Sequence, residues 1–99
     1  MTVKFTKQED SLTVSIEGRL DTLTAPELEE QLEPELDEAE TLTFDLSLLD
    51  YISSAGLRVL LGAVHVMQDK GEVVTVRNVK QEVMDVFEVT GFTDFLNIE

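Results

Sequence analysis

A chain of 99 residues, 42% apolar and 28% charged, can build one hydrophobic core but not two, and is too hydrophobic to be a disordered acidic tail. Its 21 acidic and 7 basic residues give a net charge of −14, which argues against direct binding to nucleic acid or anionic lipid, because both need clustered Lys and Arg. There is no cysteine, so disulfides and thiol chemistry are excluded.

From the N-terminus, Val3 and Phe5, then Leu12, Val14 and Ile16, alternate with polar residues on either side of Glu9-Asp10. That pattern predicts a β-hairpin, with Gly18 ending its second strand. Thr24-Ala25-Pro26-Glu27 has the spacing of a capping box, and Leu28, Leu32, Leu36 and Ala39 then follow at helical spacing. Pro34 removes a backbone donor and crowds the preceding turn, so a kink there or an end near Glu33 is expected. The eight acids and no base between Glu27 and Glu40 read as a solvated helix face.

Thr41 to Leu46 alternates again, with Leu42, Phe44 and Leu46 on one face of a strand. A short polar loop leads to a helix over Ser54–Lys70, whose stripe is Leu57, Leu60, Leu61, Val64 and Met67, with Gly71 as its cap. Glu72–Arg77 reads as a strand. Asn78 and Gln81 cap a short helix carrying Val83, Val86 and Phe87 and ending at Gly91, and Phe95–Ile98 reads as an edge strand. The fold class expected is α/β, a single domain over residues 1–99. Its sheet is mixed but mostly parallel, opened by the hairpin in the order β-β-α-β-α-β-α-β, with helices packed against it.

Ser53 and Ser54 fall where the strand period gives way to the helix period. Their hydroxyls belong among unpaired N–H groups at the positive end of a helix dipole, a setting that suits a cap or a phosphate. On position alone the cap is the stronger reading. Enzymatic chemistry has little to stand on. The one histidine, His65, lies eleven helical residues beyond Ser54, roughly 16 Å away, and shares the outward face with Arg58, Gly62 and Asp69. No nucleotide-binding glycine loop, nucleophile elbow, zinc set or calcium loop occurs, so no cofactor and no metal are expected. No run approaches the ~20 apolar residues of a membrane span, and the first residues read directly into a strand, so a cytoplasmic protein is expected.

The stretch from Asp45 to Leu57 resembles the diagnostic segment of the STAS family, in particular its small bacterial anti-sigma factor antagonists. Its pattern, close to D-L-S-x-[VL]-x-[FY]-[IM]-D-[ST]-[ST]-G-L, is met without a gap. Asp45, Leu46 and Ser47 match its opening, Leu49, Tyr51 and Ile52 its apolar positions, and Ser54, Gly56 and Leu57 its close. Gly18-Arg19-Leu20-Asp21 and Val89-Thr90-Gly91-Phe92 resemble its outer segments. Ser53 stands where the family usually has Asp, and Ala55 where it usually has Ser or Thr.

The resemblance implies a STAS fold and a binding module controlled by phosphorylation. Ser54 would be the phosphoacceptor and Ser53 the alternative. The partner-binding set would be Asp21, Thr22, Ser53, Ser54, Gly56 and Arg58. The implied partners are an anti-sigma factor with serine kinase activity and a serine phosphatase. The alternative is an unphosphorylated STAS module acting as a structural or small-ligand-binding subunit. An acyl carrier protein, also small, acidic and modified on serine, is disfavoured by the strand content.

Overall fold

A computed structural model describes residues 1–99. The strands β1 (Thr2–Gln8) and β2 (Ser11–Leu20) form the expected antiparallel hairpin, with Glu9 at φ 58 in its turn. Helix α1 (Ala25–Glu38), strands β3 (Thr41–Asp45) and β4 (Leu49–Ile52) and helix α2 (Ser54–Asp69) follow. The chain closes with β5 (Val74–Arg77), α3 (Gln81–Thr90), a 3-10 turn (Phe92–Phe95) and β6 (Leu96–Ile98). The sheet runs β1-β2-β3-β5-β6, every pair after the hairpin is parallel, and β4 joins at the far end of β2.

Alternate residues of the inner strands are buried: Leu12, Val14 and Ile16, then Leu42 and Phe44, then Val74 and Val76. They merge with Leu28, Leu32, Leu60, Val64, Met67, Val83 and Phe87 of the helices into one core of 24 residues. All three helices therefore cover the same face of the sheet. Thr13, Ser15, Thr43 and Thr75 lie on the other face, which carries no buried residue.

Five local expectations are corrected. The polar loop after β3 contains strand β4, which pairs with β2 through Gly18–Leu49, Arg19–Tyr51 and Leu20–Ile52. Asp50 is the extra residue of a bulge there, so Leu49 and Ile52 both turn inward and the period-two signature is lost. Gly18 therefore does not end β2; it bends the strand at φ 99, and β2 runs on to Leu20.

Nor does α1 stop near Glu33. It passes through Pro34 to Glu38, because Leu36 and Ala39 remain in the core and Lys70 Nζ donates to the carbonyls of Leu36 and Ala39, each at 2.6 Å. Pro34 and the residue four before it, Glu30, are both exposed, so the carbonyl that loses its donor lies on the outer face. The capping box is not formed, since Thr24 makes no side-chain cap bond to its helix. Asn78 does not cap α3 either; it sits at φ 60 with its amide toward Asp45, and Lys80 occupies the capping position.

Helix α2 ends as its glycine suggests. Gly71 takes φ 78, its N–H donates to the Gln68 carbonyl, and the Glu72 N–H donates to Met67.

Candidate functional site

The C-terminal ends of β2 and β4 lie side by side, and the Ser53 N–H donates to the Leu20 carbonyl at 2.9 Å. The turn after β2 and the start of α2 thus emerge together from one edge of the sheet. In open α/β sheets that edge is where ligands and partners are met.

At the start of α2 the two serines take different places. Ser53 is extended, at φ −97 and ψ 175, and its Oγ accepts the Gly56 N–H at 3.2 Å, which makes it the N-cap. Ser54 is the first helical residue; it is exposed, and no side chain or carbonyl of the protein bonds its hydroxyl.

Gly56 does not belong to the surface. A Cβ built on it would lie 2.7 Å from Leu20 Cγ and 2.9 Å from the Leu20 carbonyl oxygen, so the missing side chain lets α2 close onto β2. Of the partner-binding set that the resemblance implies, Gly56 is thus buried and faces inward, onto the sheet and away from a partner. Gly62 meets nothing within 4 Å, so no close packing explains it.

Asp21 folds the loop between β2 and α1. Its Oδ1 accepts the backbone N–H groups of Leu23 at 3.0 Å and Thr24 at 3.1 Å, while Thr24 Oγ1 accepts the Asp21 N–H at 2.9 Å. The Thr24 amide above all, with the Leu23 amide, the Thr24 hydroxyl and Arg19, holds the Asp21 carboxyl below its ordinary value against the cost of desolvation. Thr22 is exposed on this loop, and Leu23 is 87% exposed beside it. Arg19 lies 3.9 Å from Asp21 and stacks over the Tyr51 ring at 4.1 Å, tying the loop to β4.

Asp45 forms the turn after β3, accepting the Ser47 N–H at 3.1 Å. Burial pushes its carboxyl up, but Ser47, Asn78 and Arg77 outweigh this and leave it lowered. Asp50 pairs with Lys80. Both aspartates thus serve turn and strand packing.

Sequence periodicity missed one feature. Leu57 and Leu61 were expected in the buried stripe of α2, but Val59 and Ala63 take that place, and Leu57 and Leu61 are only partly covered. They line a groove with Thr90, Phe92 and Phe95, at whose rim stand Ser54 and Arg58. Nine apolar residues in the first fourteen of α2 fit two adjacent stripes, and only the placement of the 3-10 turn decides between them. Arg58 is exposed and makes no ion pair, and His65 is exposed as expected. No group of three or more His, Cys, Asp or Glu side chains is placed to hold a metal ion, and no helix is long and apolar enough to cross a membrane.

Comparison with known proteins adds relatives of this arrangement. The profile described as "Mlab, STAS domain" matches residues 3–97. The chain is 39% identical over 94 residues to BtrV of Bordetella bronchiseptica, covering 93% of this chain and 80% of that protein. It is 28% identical over 92 residues to the anti-sigma-B factor antagonist of Bacillus subtilis, covering 93% and 84%. In three dimensions it is similar to the anti-sigma factor antagonist SpoIIAA in its unphosphorylated form, with TM-score 0.80 at 12% identity over 99% of this chain and 87% of that one. The phosphorylated form of SpoIIAA from Bacillus gives TM-score 0.78 at 13% identity over 99% and 91%.

Proposed function

Because the chain belongs to the STAS domain family, we propose that it is an anti-sigma factor antagonist, a binding module without chemistry of its own, controlled by phosphorylation of Ser54. Unmodified, it binds an anti-sigma factor and so frees a sigma factor for transcription. That partner is also a serine kinase. It transfers the terminal phosphoryl group of a nucleoside triphosphate to Ser54 Oγ, the hydroxyl proton passing to the kinase and the nucleoside diphosphate leaving. A serine phosphatase restores the binding form by hydrolysis.

The observation that carries this reading is the division of labour between the two serines. With Ser53 capping α2, Ser54 stands exposed with an uncommitted hydroxyl, and modifying it removes no hydrogen bond of the fold. The added charge, about −1.5 to −2, sits at the positive end of the helix dipole and is tolerated there. A partner packed over the same place would have to desolvate that charge, so the complex is released while the domain stays folded. Ser53 is the poorer acceptor, since phosphorylation there would compete with the bond that starts the helix. Asp21, Thr22 and Arg58 surround the partner's place, with Asp21 shaping the loop that presents Thr22.

The test is phosphorylation by the cognate anti-sigma factor followed by peptide mass spectrometry, with a pull-down before and after. Phosphate on Ser54 and loss of the partner support the reading. Binding without any phosphate transfer favours the structural-subunit alternative, and phosphate chiefly on Ser53 reverses the assignment of the acceptor.

A further inference from the structure

Resting on the reading of Ser54 as the acceptor, we propose that Arg58 is the internal counter-ion of its phosphate: phosphorylation closes a clamp along the first turn of α2 and withdraws from the partner the only charged side chain of the adjoining groove.

The two residues are four apart in α2, so their side chains lie on the same face one turn from each other, and both line the groove with Leu57, Leu61 and Phe95. Both are exposed. Arg58 also departs from the pattern of the other cations. Lys7 pairs with Glu35, Arg19 with Asp21, Arg77 with Asp45 and Lys80 with Asp50, while Lys70 binds the carbonyls at the end of α1. Only Lys4 and Arg58 are left without a partner, in a chain where acids outnumber bases 21 to 7.

An unpaired arginine beside an apolar groove is a ready donor for an acidic side chain or carbonyl of the bound protein. A phosphate on Ser54 is a stronger acceptor close at hand, and the guanidinium can meet its oxygens with two parallel N–H bonds. An anion N-terminal to the cation by four residues is also the favourable order along a helix. Phosphorylation therefore acts twice, adding a charge that the partner cannot accommodate and removing a donor that the partner uses.

The test uses the full chain with phosphoserine introduced at position 54 by encoded incorporation, so that it needs no kinase. In a phosphorus NMR titration, the second ionisation of the phosphate is expected to lie about 0.4 pH unit lower in the parent than in Arg58→Gln, the equivalent of one helix-surface ion pair, with Arg58→Lys between them. In binding titrations with the anti-sigma factor, Arg58→Gln is expected to weaken the unmodified complex. The further loss caused by the phosphate should then be about twofold smaller than in the parent. An ionisation unchanged by Arg58→Gln overturns the clamp, and an undiminished loss overturns its part in the switch. If the kinase leaves Ser54 unmodified, the acceptor assignment fails, whereas the NMR comparison still decides whether Arg58 and the phosphate pair.

Discussion

Ser53 Oγ accepts the Gly56 N–H at 3.2 Å, so the capping place at the start of α2 is held by the serine before the exposed one. On the proposed reading, cap and phosphoacceptor, which would compete for a single serine, are separated onto neighbours. Ser53→Ala should lower stability by about 1 kcal/mol, the usual value of a lost N-cap. Ser54→Ala should stay within about 0.5 kcal/mol of the parent, as an exposed substitution does. Urea denaturation of both variants measures this, and equal losses would contradict the separation of roles.

Gly56 and Gly62 occupy the same helix and should respond to alanine in opposite ways. At Gly56 the new methyl would press on Leu20, where overpacking costs ~1–3 kcal/mol and exceeds the gain of about 1 kcal/mol in helix propensity. At Gly62 nothing lies within 4 Å, so the propensity gain should appear as added stability. A stabilising Gly56→Ala would refute the packing of α2 against β2 described above.

Lys70 holds the end of α1 beyond Pro34 through the carbonyls of Leu36 and Ala39. Removing these charge-assisted bonds with Lys70→Ala should cost ~1–2 kcal/mol and speed hydrogen exchange in the last turn of α1. Exchange unchanged near Leu36 would show that core packing alone holds that turn.

Asp21 and Asp45 both have folded-state pKa values below their ordinary ones, Asp21 chiefly through the Thr24 amide and Asp45 through Ser47 despite its burial. A lowered carboxyl pKa contributes stability that is present above the unfolded value of about 3.9 and is lost as pH falls through the folded value. Stability should therefore decline below about pH 4. Asp21→Asn should flatten that decline, while Asp21→Ala, which loses the turn acceptor as well, should be the less stable of the two at neutral pH. NMR titration of the carboxyl carbons checks the direction, and a midpoint for Asp21 above about 3.9 would contradict the turn geometry.

Residues whose local signal and tertiary setting agree could be read from the sequence. The hairpin, the β3 alternation, α2 from Ser54, the left-handed caps at Gly71 and Gly91 and the closing strand all stand where their residues point. What escaped depends on partners distant in sequence. Strand β4 carries a bulge at Asp50 that only its pairing with Gly18 and Arg19 creates. The end of α1 is decided by Lys70, more than thirty residues away. The groove arises because the 3-10 turn brings Phe92 and Phe95 beside Leu57 and Leu61. At the site, the motif marks the pair Ser53-Ser54, but only the backbone geometry assigns the cap to one of them and leaves the other exposed. Gly56 fits the motif equally well whether it faces a partner or the sheet, and the approach of Leu20 decides for the sheet.

The most direct test of the switch is a calorimetric titration of the purified anti-sigma factor with three forms of this protein: unmodified, phosphorylated on Ser54, and Ser54→Asp, each with a melting curve. The account predicts that all three fold equally well to within about 1 kcal/mol, since a negative charge at that helix end is favourable. It predicts that Ser54→Asp binds at least about tenfold more weakly than the unmodified form, a loss of ~1.4 kcal/mol, and that the phosphorylated form binds more weakly still. Phosphorylated protein that binds as tightly as the unmodified form, or that loses binding only because it has unfolded, would contradict it.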